Sequence, residues 1–195
     1  MKTRKNAKNH LIKTRSKKRG GAKMPTVGHY YENPSLKLLD GVSANDYKMV
    51  EEAFKEGADV NIKNDNGAWF LFVAAVPHIL IGNRDANEYA NETNSIRIVN
   101  LLLEKGVDVN ITDRYNNTAL LTAVKNGKQG VVKLLLEKGA DINKANNFGG
   151  TILMSAINYS EEEVIEILLA YDEEGVRVDV NARNNDGETA LIRAV

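Results

Sequence analysis

The chain has 195 residues, 43% of them hydrophobic, which suits one domain plus an extra segment or a short repeat array. Its 26 basic and 26 acidic side chains cancel, and the absence of cysteine excludes disulfides and cysteine-based zinc sites. No apolar run approaches the ~18 residues of a membrane-spanning helix.

The charge balance conceals a division. Residues 1–24, MKTRKNAKNHLIKTRSKKRGGAKM, carry ten Lys/Arg and no Asp or Glu, leaving 16 basic against 26 acidic residues in the remainder. So few apolar residues cannot bury a core, and a disordered basic tail is expected, with a linker reaching residue 34. The tail lacks the apolar centre of a secretory signal, and its one apolar cluster, His10-Leu11-Ile12, makes no amphipathic stripe for mitochondrial import. Two readings remain. One is a solvated tail; the other is a nuclear-localisation or nucleic-acid-contacting arm built from Lys2, Arg4, Lys5, Arg15, Lys17, Lys18 and Arg19. Phosphate binding by such an arm would be indifferent to sequence and strongly dependent on salt.

Residues 35–195 read as repeated helix pairs. In the first unit, about 35–63, Leu36, Leu38 and Leu39 mark one helix and Met49, Val50, Ala53 and Phe54 a second, ahead of Gly57. The second unit, 64–112, opens with Trp69-Phe70-Leu71-Phe72 and closes with a helix through Ile98, Val99, Leu102 and Leu103. The next unit begins 49 residues later, so an excess of about 16 over a 33-residue period falls in Pro77–Asn94. That polar stretch is expected as a loop between the helices, either tolerated or functional.

The third unit, 113–145, is the most regular. Thr118 is the expected N-cap. Ala119, Leu120, Ala123 and Val124 share one helical face, and Asn126-Gly127 ends that helix. Val131, Val132, Leu135 and Leu136 repeat the spacing before Gly139. Helices this short are unstable alone, below the ~12–15 residues at which isolated helices become marginal, so each pair must bury its face against its neighbours. The fourth unit, 146–183, keeps Thr151, Leu153, Ala156, Val164, Ile165, Leu168 and Leu169, with extra residues in Tyr171–Arg177. A partial fifth, 184–195, keeps Thr189, Ala190, Leu191 and Ala194. With no second helix in this last unit, the fourth is expected to be half covered, as in a truncated piece or a frayed end.

Two signatures are in phase with the helices. GADVN at 57–61, GVDVN at 106–110, GADIN at 139–143 and VDVN at 178–181 close the units. Asn64-Asp65-Asn66-Gly67, Asp113-Arg114-Tyr115-Asn116, Asn146-Asn147-Phe148-Gly149 and Asn184-Asn185-Asp186-Gly187 open them as tight turns. With these motifs, residues 35–195 resemble the ankyrin repeat family, whose pattern runs D-x-x-G-x-T-P-L-H-x-A-A and then L-L-x-x-G-A-D-V-N. The third unit matches at Asp113, Thr118, Leu120, Ala123, Leu135, Leu136, Gly139, Ala140, Asp141 and Asn143. It departs at Asn116, Ala119 and Leu121, where the family has Gly, Pro and His.

The resemblance implies an all-α repeat solenoid with β-turn or hairpin fingers, and a monomeric, non-enzymatic module for protein–protein interaction. The partner would lie in a concave groove lined by the turn tips and the first helix of each pair. Carried onto this chain, the contact positions are Asp65, Asn66, Trp69, Arg114, Tyr115, Asn117, Lys125, Asn147, Phe148 and Tyr159. The aromatic and Arg residues among them are the expected anchors. Trp69 is equally explained as packing beneath the insertion. A basic tail ending in Lys-Arg-Gly-Gly ahead of such repeats also resembles proteins of large DNA viruses. An intracellular location is then expected, cytoplasmic or nuclear, in a host cell if the origin is viral. No catalytic residue, cofactor or metal is expected: His10, His29 and His78 are scattered, and no paired-His, triad, phosphate-loop or calcium-loop spacing occurs.

Overall fold

The computed structural model describes residues 33–60, 74–75 and 88–195. Eight helices are bounded within them: α1 Pro34–Ser43, α2 Tyr47–Lys55, α3 Glu88–Glu104, α4 Ala119–Lys125, α5 Gln129–Glu137, α6 Ile152–Asn158, α7 Glu162–Ala170 and α8 Ala190–Arg193. Ala74 and Ala75 are helical and buried, at the positions that Ala123 and Val124 hold one unit later. Among the described residues the only β pairing is isolated bridges, Thr112 with Thr118 and Glu173 with Val176. This is an all-α repeat fold.

The same local chemistry starts the first helix of successive pairs. Thr118, Thr151 and Thr189 are N-caps whose hydroxyls accept from Leu121 N, Met154 N and Ile192 N. Each satisfies a backbone donor that the helix itself leaves unpaired. The turn into the second helix passes through left-handed backbone at Asn45, Gly127 and Ser160.

Packing follows the sequence period. The first helices stack in the order α4, α6, α8, and the second helices in the order α2, α3, α5, α7. Leu120, Val124, Val132, Leu135, Val164 and Leu168 are fully or almost fully buried between these layers. Arg97 on α3 lies over the Tyr47 ring of α2 at 3.7 Å, adding a cation–π contact to that junction. Leu136 is 2% exposed because α7 covers it, whereas Leu169, its counterpart one unit on, is 55% exposed. Leu191 is likewise exposed where Leu120 and Leu153 are buried.

Two expectations are corrected. Pro34, read as linker, is the first residue of α1; its ring suits that position, and the Asn33 side chain caps the helix by accepting from Ser35 N at 2.9 Å. The insertion is not loop up to Asn94, because α3 begins at Glu88. Its first turns are held by contacts to neighbouring units. Glu92 Oε1 accepts from Gly130 N at 2.7 Å, Asn94 donates to Asn45 O at 3.2 Å, and Ser95 Oγ donates to Asn45 Oδ1 at 3.2 Å. The five extra residues of the fourth unit form a tight hairpin with positive φ at Glu174 and Gly175, the pair of conformations a two-residue hairpin turn requires.

Candidate partner-binding groove

The finger tips are built by one side chain each. Asp113 Oδ1 accepts from Tyr115 N at 2.8 Å and from Asn117 N at 2.9 Å. Asn146 Oδ1 does the same for Phe148 N and Gly150 N, and Asn184 Oδ1 for Asp186 N and Glu188 N. The residue three beyond each has positive φ: Asn116 at 60°, Gly149 at 69° and Gly187 at 80°. Asn tolerates this left-handed conformation better than other non-glycine residues, so the departure at Asn116 keeps the turn.

The tips are then tied to one another. Asn147 N donates to Tyr115 O at 3.0 Å and Asn185 N to Phe148 O at 3.1 Å. Side-chain amides reinforce the tape, Asn147 donating to Arg114 O and Asn185 to Asn147 O. A second ladder runs along the closing motifs. Asn110 bridges Gly139 O and Asp141 N, and Asn143 bridges Arg177 O and Asp179 N. With the backbones zipped together, the side chains of Tyr115 and Phe148 are left projecting, 44% and 64% exposed.

Between the third, fourth and fifth units lies a groove of about 200 Å³. Phe148 from a tip and Tyr159 from the end of α6 are its exposed aromatic walls, and Lys125 from the end of α4 stands at one side. Asn146, Asn158, Ser155 and Met154 line it, with Asn184, Asp186 and Arg193 from the last unit.

The structure therefore brings together Lys125, Phe148 and Tyr159. Arg114 and Tyr115 lie outside the groove's lining, at the preceding tip, with the guanidinium 4.8 Å from the Tyr115 ring centre. Asn117 and Asn147 have their amides engaged within the array: Asn117 donates to Asp113 Oδ2 and accepts from Asn146, and Asn147 is in the tape. Asp65, Asn66 and Trp69 lie outside the described residues, as do the tail residues Lys2, Arg4, Lys5, Arg15, Lys17, Lys18 and Arg19 and all three histidines. Asp186 and Arg193 were not among the residues carried over from the resemblance. Asp186 occupies the tip position of Tyr115 and Phe148, so applying the same register to the partial unit is the signal that finds it.

The ionised groups near the groove are ordinary surface chemistry. Glu188 accepts from Asn184 at 3.0 Å and pairs with Arg193 at 2.8 Å, and these contacts hold its carboxyl below the usual range. Among the described residues no group of His, Asp and Glu is arranged to hold a metal ion, and no helix is long and apolar enough to cross a membrane.

The family described as ankyrin repeats (3 copies) matches residues 38–146, 88–182 and 140–195, most of the chain. The chain belongs to the ankyrin repeat family. Ankyrin repeats generally serve as protein–protein interaction modules, typically as non-enzymatic scaffolds. No curated protein matches the chain significantly. The family match carries the fold and the general class of function; it bears on neither the virus resemblance nor the basic tail.

Proposed function

We propose that this ankyrin array is a non-enzymatic adaptor that holds a protein partner along the groove and tips of its third to fifth units. The observation that carries this reading is the pair of exposed aromatics, Phe148 and Tyr159, lining one groove on a hydrogen-bonded scaffold. Large aromatic side chains that stay exposed on a rigid surface are the residue class that dominates binding energy at interfaces. The tape fixes their backbones in advance, so little ordering remains to oppose association. Tyr115→Ala combined with Phe148→Ala abolishes capture of the partner from native cells while the circular dichroism spectrum stays unchanged. Retained capture by the folded double variant rejects the reading.

A second reading rests on the ten basic residues and no acidic ones in positions 1–24. In it the tail supplies nuclear targeting or nucleic-acid contact, and the repeats supply the protein contact. Deleting residues 1–24 then removes DNA retention that falls steeply with salt. Unchanged retention after deletion rejects it.

A further inference from the structure

We infer that the groove selects an extended partner segment with a carboxylate at one end, an apolar side chain in the middle and a cation at the other end, an inference that rests on the groove reading above. Three charged side chains line it, Lys125, Asp186 and Arg193, and the last is already neutralised. Arg193 donates to Glu188 Oε2 through Nε at 3.0 Å and Nη2 at 2.8 Å, which closes that pair. Lys125 and Asp186 both line the groove and form no ion pair among the described residues.

These two charges stand on opposite sides of the aromatic pair. Lys125 comes from α4 in the third unit and Asp186 from the tip of the fifth, while Phe148 and Tyr159 belong to the unit between them. Packed helices stand about 8–10 Å apart, so the charges are about two such steps apart along the stack. Extended chain rises about 3.3 Å per residue and covers that span in roughly five or six residues. An apolar side chain halfway along then falls between Phe148 and Tyr159. The opposed charges reward a ligand that presents an anion to Lys125 and a cation to Asp186, and they penalise one of uniform sign. A polyanion meets Asp186 directly, which makes nucleic acid a poor occupant of this groove.

The test uses the full chain and four fluorescent peptides on a Gly/Ser background, titrated by anisotropy to millimolar concentration. Three carry a central leucine flanked by Asp and Lys, by two Asp or by two Lys at the spacing above; the fourth replaces leucine with serine in the Asp–Lys peptide. The Asp–Leu–Lys peptide is expected to bind at least tenfold tighter than the other three. Lys125→Glu transfers the preference to the Lys–Leu–Lys peptide, and Asp186→Lys transfers it to Asp–Leu–Asp. Equal binding of all four, binding of none, or a preference unmoved by either variant overturns the inference. If it falls while Tyr115→Ala with Phe148→Ala still abolishes partner capture, the groove reading stands without this selectivity.

Discussion

Glu92 in the second unit caps a helix of the third: its Oε1 accepts from Gly130 N, the second residue of α5, at 2.7 Å. Lys128, the N-cap of α5, has no side chain that can accept this bond. An anion at a helix N-terminus also meets the favourable end of the dipole. The residue comes from the insertion, which therefore contributes to the coupling between units. Glu92→Ala is expected to cost about 1 kcal/mol, the usual value of a lost cap. Urea denaturation checks this as a lower midpoint with an unchanged slope; an unshifted midpoint removes Glu92 from the coupling.

Asn143 joins the third unit to the fourth with both ends of its amide, donating to Arg177 O and accepting from Asp179 N, each at 2.8 Å. Replacing it with alanine leaves two backbone groups to be satisfied by water, at a cost of about 1–2 kcal/mol. Asn143→Asp keeps the acceptor and loses the donor, so it should fall between alanine and wild type. Amide hydrogen exchange at Asp179 separates the three proteins, being fastest in the alanine variant.

Ser160 lies at φ 55°, in the position where the preceding unit has Gly127 at φ 61°. Left-handed backbone costs a non-glycine residue roughly 1–2 kcal/mol, and glycine returns about 0.5–1 of that as unfolded-state entropy. Ser160→Gly should therefore stabilise the fold by about 0.5 kcal/mol, a rise of about 1–2 °C in Tm. Gly127→Ala should act oppositely, since its positive φ strains any side chain and the added methyl group also displaces the Glu161 carboxylate. Calorimetry of the two variants decides both signs.

The hairpin after α7 has a pH signature. Tyr171 donates its hydroxyl to Glu173 Oε2 at 2.5 Å, and that bond first, then burial and the nearby carboxylate charge, pushes its pKa up to about 12. A raised pKa means that folding favours the protonated phenol. The contribution is complete below the ordinary tyrosine pKa of ~10 and is lost as pH rises through about 12. Difference absorbance titration against Tyr171→Phe should show one tyrosine ionising late, and Glu173→Gln should bring it back toward ~10. At the other end of the pH scale, Arg177 holds the Asp172 carboxyl below its usual range. Its contribution is present above the unfolded carboxylate pKa and lost as pH falls through the lower folded value, and Arg177→Ala should raise the Asp172 pKa in an NMR titration.

Much of the helical array was legible because its determinants are local and repeated. Thr118, Thr151 and Thr189 precede apolar faces at helical spacing, and Asn or Gly falls at most of the left-handed positions, Ser160 and Glu174 being the exceptions. Four phased copies of such signals reinforce one another, so residue order alone determined the repeat and its period. Tertiary structure decided what the neighbours make of each residue. Asn117 and Asn147 look like free polar tips in a one-dimensional reading, yet both amides are engaged in contacts set by the adjacent finger. Glu88–Asn94 reads as polar loop because the groups its side chains meet, at Asn45 and Gly130, are about 40 residues or more away along the chain. Asp186 and Arg193 join the groove only when the fifth unit stacks on the fourth. Short-range stereochemistry is encoded in each repeat, but which side chains remain free to meet a partner depends on how successive repeats pack.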